Sequence, residues 1–451
     1  MNIIIVGAGA VGSAICAQLV AEGHNITLID EDRATLEKVS SHYDVVGIKG
    51  HGANVDALRE SGAEHADMLV AVTAEDEVNI LCCAGASKLG VKHTVARVRN
   101  PEYSELVNLM KDEMNISFTI NPELAAAKEI YRMLRFPSAT KIETFCKGRV
   151  DLAEITVEEG SVLVGRSLNE IRGKLNIKFL ICAVLRDDEA YIPSGDFVLQ
   201  EGDVISFTAP DSELTEFFKA VGAYKHPVKN TVIAGCSRVT YYLEYYLKRA
   251  GIRSAVIDKD KDKCRDLAQI FNCTVICDDP TKEDVLLREG IERADAFVAI
   301  SDVDQQNAIV SMYAKTLGEF KTVTMIRDIA YLDLFRSVGL GSIVSPKSST
   351  ADYILRYVRS LSNAADYAIE SLHRIVEDKV EAFEFKINDS IDAITDIPFK
   401  SLKLKSGILV AAIVRGEEVI IPSGNDFIAT GDTVIIIARR GQIKEIKEIL
   451  K

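Results

Sequence analysis

Gly7, Gly9 and Gly12 stand in a GxGxxG spacing, directly after Ile3-Ile4-Ile5-Val6 and directly before an apolar stretch of helical character. Ile29-Asp30 closes the next strand-like run. Residues of these types at this spacing can hold a phosphate. Gly7 permits a tight turn, Gly9 lets the backbone approach a pyrophosphate, and Gly12 lets helix and sheet pack closely. The helix that starts within Ala8-Gly9-Ala10-Val11 offers unpaired N–H groups and partial positive charge to an anion. Asp30 follows at the ~20-residue distance of a ribose-binding acid. An ionised Asp accepts hydrogen bonds from ribose hydroxyls and repels a 2′-phosphate, which favours NAD(H) over NADP(H). ATP or ADP satisfies the same loop and acid, so these residues define an adenine-nucleotide site and leave the nicotinamide open. Arg33, just beyond, reads as a solvated charge at a helix end.

The elements that must position these groups are strands alternating with helices, a pattern of parallel pairing with right-handed crossovers. Thr73-Ala74 follows the fourth strand, at the carboxyl edge where open α/β sheets bind ligands. Arg97 and Arg99 close the fifth strand, and alternation sends both to one face and Val98 to the other. Arg97 is the stronger ligand candidate, because its counterpart in a second copy of the pattern is Met325, whereas Arg99 recurs as Arg327.

That second copy is extensive. Thr231-Val232-Ile233-Ala234-Gly235 restates the first strand and turn, and at one constant offset Asp30 falls on Asp258, Asp76 on Asp304, Asn79 on Asn307 and Gly90 on Gly318. Its loop is not equal to the first. Ser237 and Thr240 replace two of the glycines, adding a Cβ where the motif wants none. Gly235, Ser237, Arg238 and Asp258 therefore form a weaker second site, degenerate or suited to another ligand.

The repeat continues beyond the nucleotide motif. Ile192-Pro193-Ser194-Gly195-Asp196-Phe197 with Gly202-Asp203 returns as Ile421-Pro422-Ser423-Gly424-Asn425-Asp426-Phe427 with Gly431-Asp432. Short alternating strands surround both copies, and helices are expected at Asp211–Ala220 and Gln442–Leu450. The fold class is α/β: two tandem repeats, each a Rossmann-like parallel-sheet domain plus a small α+β domain. Helical connectors are expected over Pro122–Leu134 and Thr350–Leu361. Boundaries fall at 1–121, 122–140, 141–225, 226–346, 347–370 and 371–451.

Composition narrows the function classes. A formal net charge of −14 argues against a nucleic-acid surface and against general adhesion to anionic lipid. No apolar run approaches the roughly 18–20 residues that span a bilayer. The chain opens directly on a core strand, leaving no room for a signal peptide. Nine cysteines lie without CxxC or zinc-ligand spacing, which suits reduced thiols in the cytosol, and no metal site is expected. No His–Asp pair and no Ser–Lys or Tyr–Lys spacing supplies acid–base catalysis. No catalytic residue is assigned, and sensing is favoured over chemistry. An NAD-dependent oxidoreductase is the competing reading, and a scaffold with vestigial loops is a third.

The motifs Ile5-Val6-Gly7-Ala8-Gly9-Ala10-Val11-Gly12, Lys49-Gly50-His51-Gly52, Ala66-Asp67-Met68-Leu69-Val70-Ala71-Val72-Thr73 and Ala96-Arg97-Val98-Arg99-Asn100-Pro101-Glu102-Tyr103 carry a resemblance. The whole chain resembles the TrkA family, cytosolic subunits of bacterial and archaeal Trk potassium-uptake systems, and its halves look like the RCK (or KTN) modules that regulate potassium channels and transporters. The resemblance implies a non-enzymatic regulatory subunit that binds NAD(H), and ATP or ADP. It implies a homotetrameric ring, without a transmembrane segment of its own, docked in the cytoplasm beneath a membrane potassium channel subunit of the TrkH or TrkG type. The family's nucleotide residues carry over onto Gly7, Ala8, Gly9, Ala10, Val11, Asp30, Thr73, Ala74 and Arg97. In the second half the chain departs from the family's glycine-rich loop at Ser237 and Thr240.

Overall fold

The structure, a computed structural model, describes residues 1–146, 148–328, 331–340, 342–362, 369–376, 379–443 and 445–451. Its two compact units do not follow chain order. One joins Met1–Tyr131 to Asn230–Tyr357, and the other joins Arg132–Lys229 to Val358–Lys451. Each unit thus pairs like with like from the two repeats.

The first unit holds two six-stranded sheets. Strands β1 (Asn2–Val6), β2 (Asn25–Asp30), β3 (Val46–Lys49), β4 (Met68–Ala71), β5 (His93–Arg97) and β6 (Phe118–Ile120) run in the order β3-β2-β1-β4-β5-β6. All pairings are parallel. Ile3, Ile4, Ile5 and Val6 are all buried, as a strand covered by helices on both faces requires. The chain order reverses between β1 and β4, so a crevice opens at their carboxyl ends.

The second sheet repeats the plan. In the other compact unit come β7 (Lys141–Phe145), β8 (Val150–Thr156), β9 (Leu180–Arg186), β10 (Glu189–Tyr191) and β11 (Val204–Pro210). Then β12 (Asn230–Ala234), β13 (Arg253–Asp258), β14 (Thr274–Cys277), β15 (Ala296–Ala299), β16 (Lys321–Met325) and β17 (Ile343–Val344) form β14-β13-β12-β15-β16-β17. The two sheets' repeats meet through side chains. Tyr242 donates to the Arg99 carbonyl at 2.7 Å and accepts from Asn121 Nδ2 at 2.8 Å, while Tyr131 stacks on Tyr246.

The second unit holds two antiparallel five-stranded sheets, β10-β9-β11-β8-β7 and, with β18 (Ile369–Ile375), β19 (Val380–Lys386), β20 (Ile408–Arg415), β21 (Glu418–Ile420) and β22 (Thr433–Arg439), β18-β19-β22-β20-β21. A shared apolar core, with Phe145, Leu152 and Cys182 from one sheet and Ile375, Ala411 and Ile437 from the other, joins them. The recurring Pro-Ser-Gly motif is structural. Asp203 forks Arg186 at 2.7 Å through both oxygens and Phe197 lies beneath the guanidinium; Asp432, Arg415 and Phe427 repeat the arrangement.

Two expectations change. The segment 442–450 is a short 3-10 turn, Ile446–Ile449, and not a helix like Asp211–Ala220; residue 444 lies outside the described residues. The segment pairs instead with residues 403–405: the Lys405 N–H donates to the Ile449 carbonyl at 2.8 Å, and the Lys451 N–H to the Lys403 carbonyl at 2.9 Å. The second connector helix begins at Pro346 and not at Thr350, because proline is well placed at the first helical position, where its missing N–H has no intrahelical partner anyway. Residues 363–368, inside the expected connector 347–370, lie outside the described residues. All nine cysteines are free thiols. Among the described residues no cluster of three or more His, Cys, Asp and Glu side chains could hold a metal, and no helix is long and apolar enough to cross a membrane.

Candidate functional site

The first loop is built by steric necessity at two positions and by openness at a third. Gly7 has φ +98°, a backbone conformation that other residues rarely adopt. A Cβ on Gly12 would lie 1.8 Å from the Gly7 carbonyl oxygen. Gly9 has ordinary extended backbone, φ −64° and ψ −170°, and a Cβ there would meet nothing within 4 Å. The fold does not demand glycine at this position. The space is what a phosphate needs when it approaches the main chain. No side chain caps the helix Ala10–Ala21 at Gly9, and the N–H groups of Gly9, Ala10 and Val11 have no partner among the described residues.

A cavity of about 460 Å³ opens over this loop. Gly7, Gly9, Ala10, Val11, Asp30, Thr73, Ala74 and Arg97 line it, which brings together eight of the ten residues expected there. Ala8 and Gly12 stand behind the wall. The Ala8 N–H donates to Asp30 Oδ2 at 2.6 Å, and Asp32 N–H donates to Oδ1 at 2.9 Å. Two fixed N–H donors thereby orient the carboxylate toward the cavity and hold loop and strand together. Arg33 pairs with Glu37 at 2.8 Å on an exposed helix face and does not line the cavity.

Asp76 and Asn79, on the helix Asp76–Leu89, set the far wall. Asn79 Oδ1 accepts from Thr73 N–H and Oγ1, both at 2.8 Å, and its Nδ2 donates to the Arg97 carbonyl at 2.9 Å. Asp76 Oδ2 accepts from the N–H groups of Arg99 and Asn100 at 2.8 Å. Arg97 donates to the Thr73 carbonyl and Arg99 to the Ala74 carbonyl. Arg97 Nε is buried without a partner. Burial first, and repulsion from Arg99 second, lower the Arg97 guanidinium to about 10. A cation held against its own preference beside an open phosphate cradle fits an anionic group, and so does the absent Cβ of Gly9.

The sequence left other lining residues unassigned. Gly50, His51 and Gly52 follow β3, whose carboxyl end faces the same crevice, and that topology was the available signal. His51 Nδ1 accepts the Ala53 N–H at 3.2 Å. Lys347 comes from the second repeat, and no spacing within the first repeat points to it.

The second loop closes on itself. The Ser237 N–H donates to Thr240 Oγ1 at 3.0 Å, and that hydroxyl donates to the Gly235 carbonyl at 2.7 Å. The threonine hydroxyl thus takes up a loop N–H that the first repeat leaves open. Asp258 still holds its loop, accepting from Cys236 N–H at 2.6 Å and Asp260 N–H at 2.8 Å. Met325 is buried where Arg97 stands in the first repeat. Ser237 and Arg238 line a separate cavity of about 760 Å³ between the two parallel-sheet repeats, and Gly235 and Asp258 do not.

Comparison with known proteins agrees with this architecture. The TrkA-N domain matches residues 3–122 and again 231–346, and the TrkA-C domain matches 152–222 and 393–451. The Trk system potassium uptake protein TrkA homolog of Archaeoglobus fulgidus is 30% identical across 100% of both chains, and homolog 1 of Methanosarcina mazei is 31% identical with the same coverage. TrkA of Haemophilus influenzae is 28% identical across 100% of this chain and 99% of its own. Among solved structures, the GsuK channel bound to NAD superposes with a TM-score of 0.64 at 17% identity, covering 99% of this chain and 78% of that one. The GsuK RCK domain gives 0.63 at 16% identity, covering 97% and 92%. These two likenesses establish a shared fold. With both domain types matched twice in alternation and full-length relatives at this identity, the chain belongs to the TrkA family.

Proposed function

We propose that the protein is a nucleotide-sensing regulatory subunit of a potassium-uptake system. It binds NAD(H), and ATP or ADP, in the first repeat, and passes the bound state to a membrane subunit of the TrkH or TrkG type. The chain works as a homotetramer at the cytoplasmic face of the membrane, held there by that partner. The observation that carries this reading is the open cradle at Gly9 beside Asp30 and Arg97, in a chain that aligns end to end with potassium-uptake relatives.

The residues divide the work. The free N–H groups at Gly9–Val11 and the helix end behind them receive phosphate. Asp30 accepts from ribose hydroxyls, and Glu31 beside it adds negative charge against a 2′-phosphate. Arg97 supplies fixed positive charge. Regulation needs the nucleotide to bind one arrangement of the assembly more tightly than another, with typical couplings of about 1–3 kcal/mol.

The test is potassium flux through the reconstituted complex with each nucleotide in turn. Asp30→Ala abolishes the nucleotide dependence while the assembly stays intact. Unchanged dependence overturns the reading. Consumption of NADH on incubation with carbonyl compounds would instead identify an NAD-dependent oxidoreductase.

A further inference from the structure

Lys347 is, among the described residues, the one member of the second repeat that lines the first repeat's cavity. It also lines the larger cavity between the repeats, and shares with Val11 and Arg97 the wall where the two meet. Its position is unusual for its charge. Lys347 is the second residue of the helix Pro346–Ser362, whose N-terminal end carries partial positive charge and favours acids. The matching residue of the first connector helix, Pro122–Arg135, is Glu123, the type that helix energetics prefer. Glu123 lines the larger cavity with Ser237 and Arg238. Each repeat therefore lends a helix-end side chain to a cavity bordered by the other repeat's loop. The first loop faces a cation; the second shares its cavity with a carboxylate.

Three cations, Lys347, Arg238 and Arg97, line the junction; the Glu123 and Asp76 carboxylates offset part of the Arg97 charge, and Arg97 directs its hydrogen bond to a backbone carbonyl. A lysine placed against its own helix end, beside a second cation and an open phosphate cradle, gains favourable interactions when an anion enters.

We infer that Lys347 is a phosphate-binding residue supplied across the repeat boundary, which makes the first site read the charge of a nucleotide's polyphosphate and tie the two repeats together when it is filled. This rests on the proposed nucleotide site of the first repeat. The inference adds the residue that grades one adenine nucleotide against another.

Calorimetric titration of the full-length protein with AMP, ADP and ATP, for the wild type and for Lys347→Ala, Lys347→Glu and Lys347→Arg, tests it. Lys347→Ala weakens ATP about tenfold and AMP less than twofold, Lys347→Glu weakens ATP further, and Lys347→Arg stays within about threefold of the wild type. Without ligand, Lys347→Glu melts at the wild-type temperature or slightly above, because an acid suits that helix end; this separates lost binding from lost folding. Wild-type ATP affinity in Lys347→Ala overturns the inference and leaves the nucleotide site standing. A wild-type protein that binds none of the three overturns both.

Discussion

The two parallel-sheet repeats share strand order, crossover helices and most of their polar latches, yet their loops do opposite things. In the first, Gly9 leaves open space and the N–H groups behind it are unclaimed. In the second, Thr240 occupies the position of Gly12, and its hydroxyl takes up a loop N–H while donating to the Gly235 carbonyl. Asp30 and Asp258 make the same pair of bonds to their own backbones. Asn79 and Asn307 fix the same strand ends. The Asp and Asn side chains that latch backbone groups persist in both copies. Gly9, Gly12 and Arg97 are replaced, by Ser237, Thr240 and Met325.

Substitutions can break this contrast or sharpen it. The largest effect is expected at Gly12. A methyl 1.8 Å from the Gly7 oxygen has no room, so Gly12→Ala should cost about 3 kcal/mol of stability and remove nucleotide binding, read by thermal melting and titration. Asp30→Ala should weaken NADH by thirty- to a hundredfold, about 2–3 kcal/mol for hydrogen bonds to a charged group, whereas Asp258→Ala stays within about twofold. Gly9→Ser and Arg97→Met convert first-repeat residues into their second-repeat counterparts, and each should weaken NADH about tenfold, about 1.4 kcal/mol. Tyr242→Phe removes two hydrogen bonds between the repeats and should lower stability by about 1–2 kcal/mol in chemical denaturation, with nucleotide affinity at the isolated site little changed. The smallest effect is chemical. Cys277 is exposed, while burial pushes the thiols of Cys182 and Cys236 up to about 12, so brief alkylation near neutral pH should mark Cys277 first by mass spectrometry and leave those two thiols protonated and unmodified.

Much of this was legible in the sequence because repetition doubled the signal. The buried run Ile3–Val6, the loop and Asp30 fix a strand-turn-helix-strand unit on local grounds alone. What escaped has physical reasons. His51 lies after a short strand with little apolar pattern, where only sheet topology shows that it reaches the crevice. Lys347 belongs to the other repeat, and a contact between repeats leaves no period in the sequence. Asp258 recurs with Asp30, and both carboxylates are engaged by their own loops, so recurrence alone does not separate a ribose acid from a structural latch. The Pro-Ser-Gly motif likewise marked a unit correctly while its chemistry, an Arg–Asp fork over Phe197, is architectural.

The most direct test of the central claim is the stoichiometry of NADH binding to the full-length protein, titrated in the wild type and in the Asp30→Ala and Asp258→Ala variants. The account expects one tight site per chain, lost in the first variant and kept in the second. Two equivalent sites per chain, or a tight site that survives Asp30→Ala, would contradict it.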